Sequence, residues 1–183
     1  MPKINSSAEL EALRQEILSQ RDADKPCITL CSGSACHATG SNKVSAAIEQ
    51  EIEAQDVAAD VSFRRTGCHG FCEQGPIVVI YPQGICYLKV QPEDIAEIIA
   101  ETIKQGKIVE RLIYVDPNSG EKTILEEDIP FYKNQERLIL GANLKIDPKN
   151  LDDYLAVGGY QALAKVLFEM TPEQVVYEVK DAK

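Results

Sequence analysis

The residues of this chain whose types and spacing suit chemistry are four cysteines in two short pairs. The first pair is Cys31-x4-Cys36, in the segment CSGSAC, and the second is Cys68-x3-Cys72, in the segment CHGFC, which begins 32 residues after Cys36. Thiolates spaced in this way bind soft metals, and four of them suit an iron–sulfur cluster or a zinc ion. Small residues in both loops let backbone N–H groups approach sulfur. The two pairs therefore predict a single metal or cluster site.

The other two cysteines are predicted to be structural. Cys27 opens the apolar run CITL, and Cys86 lies inside GICYLKV. A buried cysteine behaves as a small hydrophobe, although ligand exchange with Cys27 is a minor alternative. Six cysteines would suit three disulfides in a secreted chain, but the N-terminus MPKINSSAEL lacks the apolar region of a signal peptide, which favours metal or redox use.

Composition narrows the class of partner. The chain has 183 residues and a formal net charge of -10. Because phosphates would repel this charge, nucleic acid is not expected as a partner. The longest apolar runs, such as 77–81, are too short to span a bilayer, so direct membrane insertion is not expected. We expect a cytoplasmic protein with one domain plus an appendage, or with two small domains.

Each cysteine loop is predicted to follow directly after a strand of an α/β domain. Strands are expected at Cys27–Leu30 and Asp60–Arg65, with a helix from Gly40-Ser41 to about Gln55 between them. A β-α-β unit favours a parallel pair of strands. Both cysteine loops would then leave the same end of one sheet, where their four sulfurs can converge.

Further elements complete and extend this domain. Two strands, Ile77–Tyr81 and Ile85–Val90, are joined by a turn and predict an antiparallel hairpin, and a helix with an isoleucine face follows from Pro92. After Gly106 the pattern predicts an extended connector and then short helices. The predicted divisions are an N-terminal helix over 1–24, the cysteine-bearing domain over 25–106, a connector over 107–130 and a C-terminal segment over 131–183.

The spacing leaves zinc as the alternative to a cluster. Zinc sites use gaps of two to four residues, which these pairs satisfy. The unequal pairs, each after a strand of a domain large enough to fold without a metal, argue against it. The spacings of plant-type ferredoxins and the two histidine ligands of Rieske centres do not match, since His37 and His69, the two histidines of the chain, each directly follow a cysteine.

The paired cysteines on a β-α-β-β-α order resemble the thioredoxin-like [2Fe–2S] ferredoxins over about Lys25–Gly106. This resemblance implies that the fold is thioredoxin-like and that four cysteines bind a [2Fe–2S] cluster. Zinc, or a form without metal that carries a disulfide, stays open as an alternative. The implied ligands are Cys31, Cys36, Cys68 and Cys72.

The segments DIPFYKNQERLIL, IDPKNLDDYLAVGGYQALAKVL and MTPEQVVYEVKDAK resemble the start of the NADH-binding flavoprotein subunit of complex I. Relatives of this subunit include subunits of NAD-reducing and electron-bifurcating hydrogenases and of formate dehydrogenases, and the match spans about Phe131–Lys183. In those proteins a glycine-rich loop that cradles FMN and NADH follows this region. We therefore expect a truncated start of that domain, with the FMN and NAD(P)H sites downstream and Gly158-Gly159 acting as a turn.

Together, the resemblances imply a [2Fe–2S] electron-transfer module of a multi-subunit NAD(P)H-linked oxidoreductase. It would pass single electrons between flavin and a partner redox centre, with other subunits of a redox complex as its partners. No catalytic residue is assigned, and the chain alone is expected not to turn over NADH. The alternative is a zinc-bound docking module of the same kind of complex. A thiol–disulfide oxidoreductase is disfavoured, because neither pair is C-x-x-C.

Residues around the cysteines carry weaker predictions. His37 and His69 are expected to be exposed loop residues, with hydrogen bonding near the cluster or proton relay as the alternative. Arg64 and Arg65 are expected to be solvated, or else to offset cluster charge or steer an acidic partner. Phe71 is expected to shield the site or anchor its loop.

An acidic run downstream carries no predicted role. It comprises Glu126, Glu127 and Asp128, and all three carboxylates are expected to form a solvated face.

Overall fold

The computed structural model describes residues 3–182 and divides the chain into two compact units. One unit comprises Ala23–Pro148, and the other comprises Met1–Asp22 together with Lys149–Lys183. The predicted division at residues 24, 106 and 130 stays a prediction. The compact units follow spatial contact, and they group residues 131–148 with the cysteine-bearing region.

The larger unit is built on a four-stranded mixed sheet in the order β2-β1-β3-β4. The strands are β1 (Cys27–Cys31), β2 (Ser62–Thr66), β3 (Val78–Tyr81) and β4 (Ile85–Tyr87). β1 pairs with β2 in parallel, while β3 lies antiparallel to both β1 and β4. The predicted α/β class, parallel pair and hairpin are therefore confirmed.

Helices cover the sheet with the apolar faces that the sequence predicts. The helix α3 (Ser41–Ala54) buries Val44 and Ile48. The helical segment over 92–103, here called α4, begins as a 3-10 turn and widens into a π-helix at Ile98–Ile103. Ile95, Ile98 and Ile99 of this segment join the same core as Val44 and Ile48. Burying one such side chain stabilises the folded protein by about 1.5–3 kcal/mol.

The register of the parallel pair fixes where the cysteine loops start. Cys31, the last residue of β1, lies beside Thr66, the last residue of β2. Both loops therefore leave the sheet at the same end, as predicted from strand direction. A short helix that the sequence analysis did not predict, α2 (Ser34–Ala38), lies inside the first loop and carries Cys36.

The connector closes the free edge of the sheet. The backbone N–H groups of Cys86 and Leu88 donate to the carbonyls of Ile124 and Leu112, at 2.9 and 2.8 Å. A short two-stranded hairpin, β5 (Tyr114–Val115) with β6 (Lys122–Thr123), lies within the region predicted to be an extended connector. The chain then enters the helix α5 (Pro130–Lys133) and a 3-10 turn at Gly141–Leu144.

The smaller unit is helical. It contains α1 (Ser7–Ser19), α6 (Leu151–Ala156), α7 (Gln161–Glu169) and α8 (Pro172–Asp181). Leu10 and Ile17 of α1 pack with Leu155, Ala156 and Ala164, so α1 shares a core with α6 and α7, which lie near the other end of the sequence. The predicted turn at Gly158-Gly159 is confirmed between α6 and α7. Across residues 3–182, no helix is both long and apolar enough to cross a membrane.

Candidate metal centre

The first cysteine loop places its two thiols in the interior. Cys31 ends the buried strand β1, and Cys36 lies on α2; each is 1% exposed. The backbone of Gly33 is extended where α2 begins, and the N–H of His37 closes the helix on the Gly33 carbonyl at 2.9 Å. A strand end and a five-residue helix thus turn both sulfurs inward.

The second cysteine loop lies nearer the surface. Cys68 follows β2 by two residues and is half-buried, while Cys72 starts a 3-10 turn and is exposed. Their Sγ atoms are 4.0 Å apart. The N–H of Gly70 donates to Cys68 Sγ at 3.3 Å, which is the kind of N–H to sulfur contact that stabilises thiolates and cluster sulfurs.

The thiols of the two loops influence one another. The hydrogen bond from Cys36 lowers the pKa of Cys31 to about 5 against the opposing effect of burial, and the backbone N–H groups of His69 and Gly33 lower it further. The same interaction with Cys31 raises the pKa of Cys36. Loss of hydration, and then the nearby Cys68 and Cys31, raise the pKa of Cys72. Cys31 of the first loop and Cys72 of the second loop therefore lie close enough to influence each other.

Two glycines allow the loops to interlock. A Cβ atom at Gly33 would lie 3.1 Å from the Cβ of Cys68, so the first loop touches the second. A Cβ atom at Gly75 would lie 2.7 Å from Cys36 Sγ, a distance that real Cβ atoms essentially never show. The space beside the sulfurs is therefore kept clear by the absence of side chains at these positions.

His69 and Glu126 correct two predictions. His69 was expected to be an exposed loop residue, but it is 0% exposed, whereas His37 is exposed as predicted. Its Nδ1 lies 3.0 Å from Glu126 Oε1, and its Nε2 lies 2.8 Å from Thr66 Oγ1. Glu126 was expected on a solvated face and is instead 8% exposed, and its two carboxylate oxygens are partnered by Tyr81 and His69.

An aromatic cluster holds the second loop from outside. Phe71 is buried and stacks on Phe131 with ring centroids 4.3 Å apart, and Tyr132 packs edge-on against both rings. Arg137 Nη2 donates to the His69 carbonyl at 2.6 Å. Anchoring of the loop by Phe71, one of its two predicted roles, is therefore confirmed; shielding of the site stays a prediction.

The remaining predicted residues lie outside the group of four thiols. Cys86 is 0% exposed on β4, and burial raises the pKa of its thiol, which fits a structural role. Cys27 is half-buried at the start of β1. Arg64 and Arg65 are half-buried and are engaged within the protein: Arg64 donates to the Lys145 carbonyl at 2.7 Å, and Arg65 pairs with Glu49 at 2.7 Å.

The four thiols form two pairs that offer sulfur ligands to a metal ion or a cluster. A tetrahedral zinc site places four sulfurs about 2.3 Å from one point. Within residues 3–182, no group of three or more His, Cys, Asp or Glu side chains is already arranged around one point, which favours neither zinc nor a cluster. The thiols form pairs with N–H donors around them, and the buried hydroxyl of Tyr132, which packs with Cys31 and Cys36, has no hydrogen-bond partner among these residues. This leaves a donor for a bound group.

Comparison with known proteins gives consistent matches to one family. Residues 16–103 match the thioredoxin-like [2Fe–2S] ferredoxin family. A 2Fe-2S ferredoxin from Clostridium pasteurianum is 38% identical over 77 residues, which are 42% of this chain and 76% of the ferredoxin. A 2Fe-2S ferredoxin from Aquifex aeolicus is 38% identical over 80 residues, which are 43% of this chain and 72% of the ferredoxin. The crystal structure of the wild-type thioredoxin-like ferredoxin from Aquifex aeolicus aligns with 51% of this chain and 100% of its own, at 31% identity and a TM-score of 0.46.

Proposed function

We propose that this chain, which belongs to the thioredoxin-like [2Fe–2S] ferredoxin family, relays single electrons through a cluster that its two cysteine loops hold. The observation that carries this proposal is the convergence of both cysteine loops at one end of the sheet, where Gly33 of the first loop lies against Cys68 of the second. The proposed ligands are Cys31, Cys36, Cys68 and Cys72.

The protein would supply the sulfur ligands, their hydrogen-bond donors and their burial, whereas the cluster would supply the redox chemistry. A bound [2Fe–2S] cluster takes up and releases one electron. The backbone N–H of Gly70 donates to the sulfur of Cys68, which stabilises the negative charge of a bound thiolate. Cys31 and Cys36 are buried and Cys72 is exposed, so electrons would enter and leave on the Cys72 side.

The finer proposal is that this module serves a multi-subunit NAD(P)H-linked oxidoreductase. Its support is the resemblance of Phe131–Lys183 to the start of an NADH-binding flavoprotein subunit. Three consecutive apolar side chains in this region, Leu138, Ile139 and Leu140, are 85%, 92% and 58% exposed. Exposed apolar side chains of this kind suit contact with another subunit of such a complex.

Redox titration tests the core of the proposal. Anaerobically purified protein, titrated with dithionite, should lose visible absorbance after one electron per chain and gain an electron paramagnetic resonance signal of a reduced [2Fe–2S] cluster. A colourless protein that takes up no electron would contradict the proposal and would favour the zinc-bound docking module.

The proposed role in an NADH-linked oxidoreductase is tested on protein purified together with its partner subunits. Tagged full-length chain should be purified from its own cells, and NADH should be added without oxygen. We expect flavin to co-purify and the cluster signal to appear with NADH. A cluster that dithionite reduces and NADH does not would contradict the NADH-linked context and leave the electron-transfer role intact.

A further inference from the structure

We infer that Glu126 is a positioning residue of the cluster site, which acts by holding the buried side chain of His69, a residue of the second cysteine loop. The inference rests on the proposed function, because its effect is expressed through a bound cluster. Glu126 lies outside residues 16–103, the part of the chain that matches the ferredoxin family. Part of the site's support would then come from the segment that follows the ferredoxin domain.

A buried chain of hydrogen bonds connects Glu126 to the sheet. Tyr81 on β3 donates its hydroxyl to Glu126 Oε2 at 2.8 Å, and Glu126 Oε1 lies 3.0 Å from His69 Nδ1. His69 Nε2 in turn lies 2.8 Å from Thr66 Oγ1, at the end of β2. Every polar atom of the His69 ring therefore has a partner, and a ring held at both nitrogens is fixed in orientation.

The backbone of His69 links the same residue to the sulfurs. His69 directly follows Cys68, one of the proposed ligands. Its carbonyl accepts from Arg137 at 2.6 Å. Because the His69 ring is held by Glu126 and Thr66, the backbone next to Cys68 is restrained as well.

Glu126 differs from its neighbours in the acidic run. The N–H of Glu126 donates to the Gly84 carbonyl at 2.8 Å, which ties this residue to the hairpin of β3 and β4. Its side chain is buried, whereas Glu127 and Asp128 are exposed. Glu127 is therefore a matched control that carries the same charge one residue away in solvent.

The test uses four variants of the full-length chain: Glu126→Ala, Glu126→Gln, Glu127→Ala and Tyr87→Phe. Tyr87→Phe removes a buried hydrogen bond to Thr102, 2.6 Å long, in the core of the same unit, so it reports the effect of lost stability alone. Three properties of the bound cluster should be measured: its visible circular dichroism, its midpoint potential and its rate of iron loss to a chelator.

We expect Glu126→Ala to change the circular dichroism and the potential and to speed iron loss about tenfold, the lower end of the range for residues that orient metal ligands. Glu126→Gln, which keeps a side-chain oxygen for His69, should restore much of the native behaviour. Glu127→Ala should match the wild type, and Tyr87→Phe should lower the unfolding temperature without changing the cluster's spectrum.

Native spectra, potential and iron retention in both Glu126 variants would overturn the inference. Equal changes in Tyr87→Phe would also overturn it, because they would show a general loss of stability. If Glu126→Ala fails to fold, the shifted or native properties of Glu126→Gln decide in the same way. A wild-type protein without iron and sulfide would instead contradict the proposed function itself.

Discussion

The two cysteine loops carry the same chemistry on different supports. The first loop is held locally, by the end of β1 and by α2, and both of its thiols are buried. The second loop is held by residues far along the chain, since its His69 and Phe71 contact Glu126 and Phe131. The difference indicates that the first loop forms with the sheet, whereas the second depends on the segment that follows the ferredoxin domain.

The largest expected effect comes from removing a buried ligand. Cys36→Ser should abolish or strongly weaken the cluster, and Cys72→Ser, in the exposed loop, should shift its spectrum more than it reduces its amount. Cys86→Ala is the control, because this buried thiol lies on β4 and outside the two loops. An unchanged spectrum in the two serine variants, measured by absorbance and iron content, would contradict the ligand assignment.

A smaller effect should come from filling the space between the loops. Gly75→Ala would place a Cβ atom 2.7 Å from Cys36 Sγ, so the sulfur must move and the yield of bound cluster should fall severalfold. Gly141→Ala is the matched control, since its nearest neighbour would be 3.9 Å away. The iron content per chain of the two variants should be compared. Equal iron content would mean that Gly75 and Cys36 are not closely packed.

Removing the aromatic contacts of the second loop should lower the stability of the fold and shorten the lifetime of the cluster. Phe71→Ala removes the stacking on Phe131 and should lower the free energy of unfolding by about 3 kcal/mol. We expect its cluster to bleach faster in air, while Phe63→Ala, which changes a half-buried ring on β2, should leave the cluster lifetime unaltered. Equal bleaching rates in both variants would contradict the idea that the second loop depends on its aromatic contacts.

For flavin and NADH we expect no effect at all. The chain alone should neither bind FMN nor oxidise NADH, because Gly158-Gly159 lies in a turn between two helices and does not form a strand–loop–helix phosphate site. Titration of FMN, followed by flavin fluorescence, and of NADH with an artificial electron acceptor tests this expectation. Stoichiometric flavin binding or turnover would place a nucleotide site in residues that we interpret as structural.

The sequence was sufficient for the parts that local patterns determine. Alternating apolar residues and the isoleucine face after Pro92 predicted the strands and main helices, and strand direction predicted that the loops share one end of the sheet. The helix α2 was missed because five residues are too few for a helical period to appear.

The residues that the sequence analysis missed are joined by long-range contacts. Glu126 and His69 are 57 positions apart, and nothing in the run of three acids distinguishes the buried one from its two exposed neighbours. Arg137 and Tyr132 belong to the same class, because their contacts with the second loop depend on how the connector folds back. Tertiary packing decides such positions, and local periodicity does not record it.

Chemical analysis of the purified protein tests the central claim most directly. Protein produced with ample iron and handled without oxygen should contain two irons and two acid-labile sulfides per chain, the composition that defines a [2Fe–2S] cluster, and should be red-brown. Stoichiometric zinc without sulfide, in a colourless protein, would contradict the account.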